Sequence, residues 1–326
     1  MGNNGVSIII CCYNSGLRLP ETIKHIAAQK VFFEIPWELI IVDNLSTDNT
    51  SAIALNEIRS YESLISRSKI VYEPNAGLTY ARNKGVNEAI YEYIIFCDDD
   101  NWLDEDYINI AYSILSKKPK IAACGGQSHA ISEVHFPDWW QDYKSGYAVG
   151  RQAELTGDIS ARKYLWGSGL AFKKELYLKA FDKLPSLLSD RKGKDLSSGG
   201  DSEICMRFLL MGYTLYYDER LRFKHYIDPS RLIWSYRKKL FQGFLDASVI
   251  LSTYAQYLDI LRLSKRNRLI NLFKNTLKIC LAVILGRERF YTVIEANFIF
   301  FCTGISLKKT SPKAKSIKKI KLNALK

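Results

Sequence analysis

The sequence predicts an α/β fold: a mostly parallel sheet flanked by helices, followed by a C-terminal helical extension. Three observations carry this. Short β-branched runs alternate with stretches of helical apolar spacing through the first hundred residues. Two of those runs stop abruptly in acids, Asp43 and Asp98-Asp99-Asp100, as strand ends that face a ligand crevice do. Beyond about residue 231 the pattern turns mostly helical.

Taken in order, Val6–Cys12 is apolar and β-branched, suited to a strand buried on both faces. Pro20 opens a helix through about Gln29. Residues 38–43 form a second buried strand, with Ser46 and Thr47 placed to cap the next helix. Ile70–Tyr72 is a third strand; Leu78, Ala81, Gly85, Val86, Ala89 and Ile90 then share a helical face. Tyr93–Cys97 is a fourth strand. The stretch 103–235 is less regular, with an aromatic loop at 136–140, a helix from about Asp201 to Met211 stopped by Gly212, and a strand over 213–218.

Composition narrows the class. The chain has 326 residues, 47% hydrophobic and 25% charged, an ordinary globular balance. No basic residue precedes the short apolar run at the N-terminus, so a secretory signal is not expected. Seven scattered cysteines without a CxxC fit reduced thiols and a cytoplasmic setting. The net charge is +12, yet eight lysines lie between Lys308 and Lys326, and without them the balance is +4. A nucleic-acid partner is not expected, because its groove would spread basic residues through the body. There is no GxGxxG, GxxxxGK[ST] or HExxH, which removes dehydrogenase, P-loop and zincin readings.

The chemistry concentrates in a few places. Asp98, Asp99 and Asp100 repel one another and invite a divalent cation with oxygen ligands, Mn²⁺ or Mg²⁺, although they would also serve as a solvated acidic turn. Asp43 could accept from a ribose or base, or simply hold a turn. Asn75 through Arg82 joins a turn to a helix start, a place for phosphate or base. Asp201 opens a helix after two glycines, where it is an N-cap or a general base kept ionised by the helix N-terminus. His225 gains interest only beside the aspartate run, and Trp139, Trp140 and Trp166 offer core packing or sugar stacking.

The ordered segments VSIIICCYN, ELIIVDNLSTDNT, EPNAGLTYARNKGVNEA, YIIFCDDDNWL, YLWGSGLAFKK and SSGGDSEICMRFLLMGYTLYYDERLRFKH closely resemble family 2 of the nucleotide-sugar glycosyltransferases, over about residues 5–235. Residues 137–150 with Trp166-Gly167 also look like a bacterial subgroup that builds surface polysaccharides. The resemblance implies a GT-A-type, Rossmann-like fold and an inverting single displacement. It implies that Tyr13, Asn14, Asp43, Asn75, Arg82, Asp98 and Asp99 bind the nucleotide-sugar, with Asp100 and His225 on the metal. It implies Asp201 as base, and an acceptor site at Trp139, Trp140, Trp166, Gly167 and Glu203. Two departures stand out: Asn44 where relatives often have Asp, and Gly200 where they usually carry Glu before the base.

The expected organisation is a nucleotide-sugar half over 1–102 and an acceptor half over 103–235 of one catalytic domain. C-terminal helices over 236–307 and a basic, disordered tail over 308–326 follow. Ile270, Phe273, Leu277, Leu281 and Ile284 form one apolar stripe, and Phe290, Ile294, Asn297, Phe298 and Phe301 a second. Beside the lysine tail these stripes suit peripheral contact with an anionic membrane at its inner face, where a glycan or lipid-linked acceptor would be met. A sugar nucleotidyltransferase and a non-enzymatic basic membrane-binding module are the alternatives.

Overall fold

The structure, a computed structural model, describes residues 3–188, 190–191, 196–284, 293–304 and 310–324. The strands are β1 (Asn3–Cys12), β2 (Trp37–Asp43), β3 (Ser68–Tyr72), β4 (Tyr91–Asp98), β5 (Asn101–Leu103), β6 (Ile121–Ile131), β7 (Gly157–Asp158), β8 (Ala171–Lys173) and β9 (Thr214–Tyr226). The helices are α1 (Leu19–Ala27), α2 (Thr50–Arg59), α3 (Glu62–Ile65), α4 (Leu78–Glu88), α5 (Tyr107–Lys117), α6 (Trp140–Tyr143), α7 (Lys174–Phe181), α8 (Gly200–Leu210), α9 (Trp234–Arg262), α10 (Lys265–Ile284), α11 (Val293–Thr303) and α12 (Pro312–Ala324).

The strands form one sheet in the order β3-β2-β1-β4-β8-β6-β9-β5, with β7 on β9. The first four are parallel, each reached by a helical crossover. Strand β8 runs antiparallel to both β4 and β6, so the sheet becomes mixed in its second half. The chain order reverses beside β1, which places a crevice beyond the ends of β1 and β4.

The apolar runs are continuous because both faces are covered. Val6, Ile8, Ile10 and Cys12 meet Leu19, Ile23 and Ile26 of α1 and Tyr107 of α5 on one face. Ile9, Ile40, Val42 and Phe96 meet Ala81 of α4 and Ile204 and Phe208 of α8 on the other. Alternation across the strand sends successive side chains to opposite helical layers.

Three expectations need correction. Ser46 and Thr47 do not cap the second helix; α2 starts at Thr50, and Asp48 Oδ1 accepts from the Thr50 N–H at 3.0 Å. The strand expected over 213–218 continues to Tyr226, long enough to pair with β6, β5 and β7. The tail is not wholly disordered: α12 buries Ala314, Ile317 and Ile320 against Tyr254 and Tyr257 of α9, Phe298 and Phe301 of α11, and Met206 and Leu210 of α8. Its lysines flank an apolar edge with helical spacing, and that edge finds a partner in the fold. Phe290 and Lys308 lie outside the described residues, as do the side chains of Leu281 and Ile284.

Candidate active site

A cavity of about 1090 Å³ opens beyond the carboxyl ends of β1 and β4. Its floor is Cys11, Cys12 and Tyr13 from β1 and its exit, and Asp98, Asp99 and Asp100 from β4. The N-terminal turns of α4 and α8 enter from one side, bringing Arg82 and Asp201. Helix α9 closes the far wall with Phe241, Phe244, Ala247 and Leu251. The first of the C-terminal helices therefore belongs to the cavity rather than standing apart from it.

Each acid of the β4 run has a different partner. Asp98 Oδ2 accepts from the Ser168 hydroxyl at 2.5 Å. Asp99 Oδ2 pairs with Arg18 Nη2 at 2.6 Å; burial and the neighbouring Asp100 push its carboxyl up, with Arg18 opposing. Asp100 Oδ2 takes a 2.7 Å contact from Arg231 Nη1, and its Oδ1 faces His225 Nε2 at 3.4 Å. Burial pushes Asp100 up, but His225, Arg231 and Arg18 outweigh it and hold the carboxyl well below the usual range. Like-charge repulsion along the run is thus met first by arginines.

The same residues fit a divalent cation. Asp100 Oδ1 and His225 Nε2 set a carboxylate and an imidazole 3.4 Å apart, and His225 Nδ1 is buried without a hydrogen-bond partner. Among the described residues no three His, Cys, Asp or Glu side chains form a cage. A cation here would draw on these two side chains alone, with phosphate and water completing its shell.

In the same cavity, Asp201 sits in the first turn of α8, after Gly199 at φ +122°. Its Oδ2 accepts from the Gly167 N–H at 2.8 Å and its Oδ1 from the Ser202 N–H at 2.7 Å. Burial raises its carboxyl above the ordinary value; Arg82 opposes that and Asp190 adds to it. The helix N-terminus alone predicts a depressed carboxyl, and burial overrules it. A Cβ on Gly167 would lie 2.8 Å from Arg82 Nη2 and 3.3 Å from Asp201 Cβ, so glycine is what lets the backbone reach the carboxylate.

The cavity gathers Tyr13, Arg82, Asp98, Asp99, Asp100, Trp166, Gly167, Asp201 and His225 from the sequence-derived set. The others lie elsewhere. Glu203 is fully buried and cannot meet an acceptor, because it pairs with Arg207 at 2.7 Å and accepts from Ser186, the Leu187 N–H and Tyr254. Trp139 and Trp140 are off the wall; Trp139 meets Tyr143 edge-on and Trp140 lies tilted against Tyr147, and both tyrosines are on it. Asn14, Asp43 and Asn75 brace the wall from behind. Asn14, at φ +51°, accepts from the Thr47 N–H at 2.8 Å. Asp43 accepts from the Ser46 N–H at 2.9 Å and from Ser51, and Asn75 is bound to Glu73.

Arg231, Asp190, Tyr143 and Ser168 were not found from sequence. Ser168 carried a signal as the neighbour of Gly167 in the YLWGSGLAFKK segment; Arg231 carried none beyond following His225 by six residues. Asp190 and Tyr143 offered none.

A crevice at the carboxyl ends of parallel strands that holds an acidic strand end and a buried carboxylate in one cavity is the architecture of a GT-A-type transferase. Residues 7–176 match the family model described as Glycosyl transferase family 2. The chain belongs to that family. It is similar to poly-beta-1,6-N-acetyl-D-glucosamine synthase of Staphylococcus epidermidis, 29% identical over 123 residues that make up 37% of this chain and 28% of that protein. Glycosyltransferase GlyA of Streptococcus pneumoniae is 29% identical over 132 residues, 40% of this chain and 18% of that one. The chain therefore matches well under two thirds of either relative. Among solved structures, S. aureus TarS 1-349 in complex with UDP-GlcNAc superposes with a TM-score of 0.57 at 17% identity, over 98% of this chain and 89% of that one. At that identity the likeness is one of fold.

Proposed function

We propose that this protein is a glycosyltransferase that moves a sugar from a nucleoside-diphosphate sugar, of the UDP class, to a hydroxyl of a glycan or lipid-linked glycan. The reading places it in the building of a cell-surface polysaccharide, with Asp201 as base of an inverting single displacement. One observation carries it: a buried carboxylate of raised pKa shares a single cavity with the acidic end of β4. The synthase and TarS relatives support the donor and product classes.

In this reading Tyr13 and the α4 turn line the nucleotide side. Asp98 and Asp99, oriented by Ser168 and Arg18, meet the ribose and the sugar. Asp100 and His225 would hold Mn²⁺ or Mg²⁺. When bound, the cation would supply charge stabilisation for a departing diphosphate. Arg231 adds a fixed positive charge beside the same group. Asp201 takes the proton of the attacking hydroxyl, and its burial makes it a better base than a solvated carboxylate. The rings of Tyr143, Phe241 and Phe244 give the acceptor sugar an apolar platform.

Contact with an anionic membrane at its cytoplasmic face belongs to the same reading. Leu269, Phe273 and Leu277 of α10 are exposed, and no acid occurs between Lys265 and Ile284. Among the described residues no helix is long and apolar enough to cross a membrane.

The test is thermal stabilisation by UDP, GDP, CDP and dTDP, with and without Mn²⁺, on the wild type, Asp100→Ala and Asp201→Asn. The expected result is a shift for UDP that needs both the metal and Asp100. Asp201→Asn should keep the shift and lose transfer. No metal-dependent shift with any nucleotide, or transfer by Asp201→Asn, overturns the assignment.

A further inference from the structure

Gly200 has an ordinary backbone conformation, so its φ does not call for glycine. What forbids a side chain there is Asp190. A Cβ on Gly200 would lie 2.3 Å from Asp190 Oδ2, 3.1 Å from Asp190 Cγ and 3.4 Å from Arg82 Nη1. The shortest of these is close to the reach of an aspartate's own carboxylate oxygen from its Cβ. Asp190 therefore puts an oxygen where an acidic side chain at position 200 would put one.

That oxygen is committed to the site. Asp190 Oδ2 pairs with Arg82 Nη1 at 3.1 Å, with the two side chains 4% and 9% exposed. The strand of chain that carries it is tied to α4, where the Leu78 N–H donates to Arg191 O at 2.9 Å. Arg82 in turn faces Asp201 across Gly167, whose Cβ space its Nη2 occupies. A buried guanidinium with a free choice would close onto the catalytic carboxylate and lock it as an ion pair. Asp190 holds Arg82 from the other side.

We propose that Asp190 is a positioning residue for the transfer reaction: it fills the place left open by Gly200, anchors Arg82, and so leaves Asp201 available to take a proton. The inference rests on the reading of Asp201 as base. The charged and titratable groups that bear on Asp201 are Arg82 of α4, Asp190, and Cys205 of its own helix. Asp98 and Cys11 act on it through Arg82, and Glu203 is turned away into Arg207. Removing the Asp190 charge takes away a group that raises Asp201 and frees one that lowers it. Both changes move the Asp201 carboxyl down.

The experiment is the pH profile of kcat/KM for Asp190→Asn and for the exchange Asp190→Ala/Gly200→Asp, beside the two single changes Asp190→Ala and Gly200→Asp. Asp190→Asn should lose about tenfold or more in kcat and carry the acid limb to lower pH. Gly200→Asp alone should be the worst of the set, since it meets Asp190 in both space and charge. The exchange should recover activity above both singles and restore the limb. An unchanged kcat and limb in Asp190→Asn overturns the proposal. So does a loss of activity with the limb unmoved and no recovery in the exchange, which would mark Asp190 as a structural prop. Activity in Asp201→Asn would instead remove the base assignment, and the inference with it, whereas failure at Asp190 alone leaves that assignment standing.

Discussion

Asn44 shows how a single amide can be dictated by its neighbours. Its Nδ2 donates to Glu73 O at 3.0 Å and to Asn75 O at 2.7 Å, while its Oδ1 accepts from the Gly77 N–H at 2.8 Å. An aspartate could accept but not donate, and would set a carboxylate against two carbonyl oxygens. Asn44→Asp should therefore cost about 1–3 kcal/mol, read by chemical denaturation, and should loosen the turn that delivers α4 to the cavity. The departure from relatives at this position thus has a local reason. Arg231 makes a related point: it is a fixed cation for Asp100 from a turn 131 residues away, invisible until the chain is folded.

At the scale of elements, α8 does two jobs from one turn. Asp201 faces the cavity, and Glu203, two residues on, faces the core. Glu203 and Arg207 are both fully buried, and Arg207 also donates to the carbonyls of Ala180, Leu184 and Pro185. That network staples the stretch leading to Asp190 onto α8. Glu203→Ala should destabilise the protein by about 3–5 kcal/mol, because it leaves a guanidinium buried without its counter-charge; a melting curve is the check. Helix α10 behaves differently. Leu269, Ile270, Phe273 and Leu277 share one face within about a third of the helix circumference, all are exposed, and Lys274 and Lys278 border them. Changing Leu269, Phe273 and Leu277 together to Gln should reduce co-sedimentation with anionic liposomes about tenfold while leaving transfer to a soluble acceptor intact. Equal sedimentation of the triple variant would remove the helix from membrane binding.

For the molecule as a whole, the C-terminal helices complete the core that carries the site. Helix α9 is both a wall of the cavity and the partner of α8, α11 and α12. Deleting residues 310–326 removes the buried Ile317 and Ile320, each worth about 1.5–3 kcal/mol. The deletion should lower the melting temperature and weaken transfer through α8, which carries Asp201, and a deletion with unchanged melting would contradict the packing described here.

The parallel half of the sheet was legible in the sequence. Val6–Cys12, Leu39–Asp43 and Tyr93–Cys97 are buried on both faces, and a strand in that position must be continuously apolar, so the pattern and the structure say the same thing. The acids that end the second and fourth strands were legible as well, since a charge can follow a buried run only where polar partners meet it, as Ser46 and Ser51 meet Asp43 and Arg231 meets Asp100. So was Asp201, placed by glycines at a helix start. What only the tertiary structure decided are the pairings over long sequence distance: Arg231 with Asp100, Asp190 with Arg82, and α9 as the far wall. It also decided that Glu203 turns inward and that α12 packs. A periodic pattern reports how one segment meets water and core. It carries no record of which distant charge will stand opposite, because that is fixed by loop-borne contacts that leave no period in the chain.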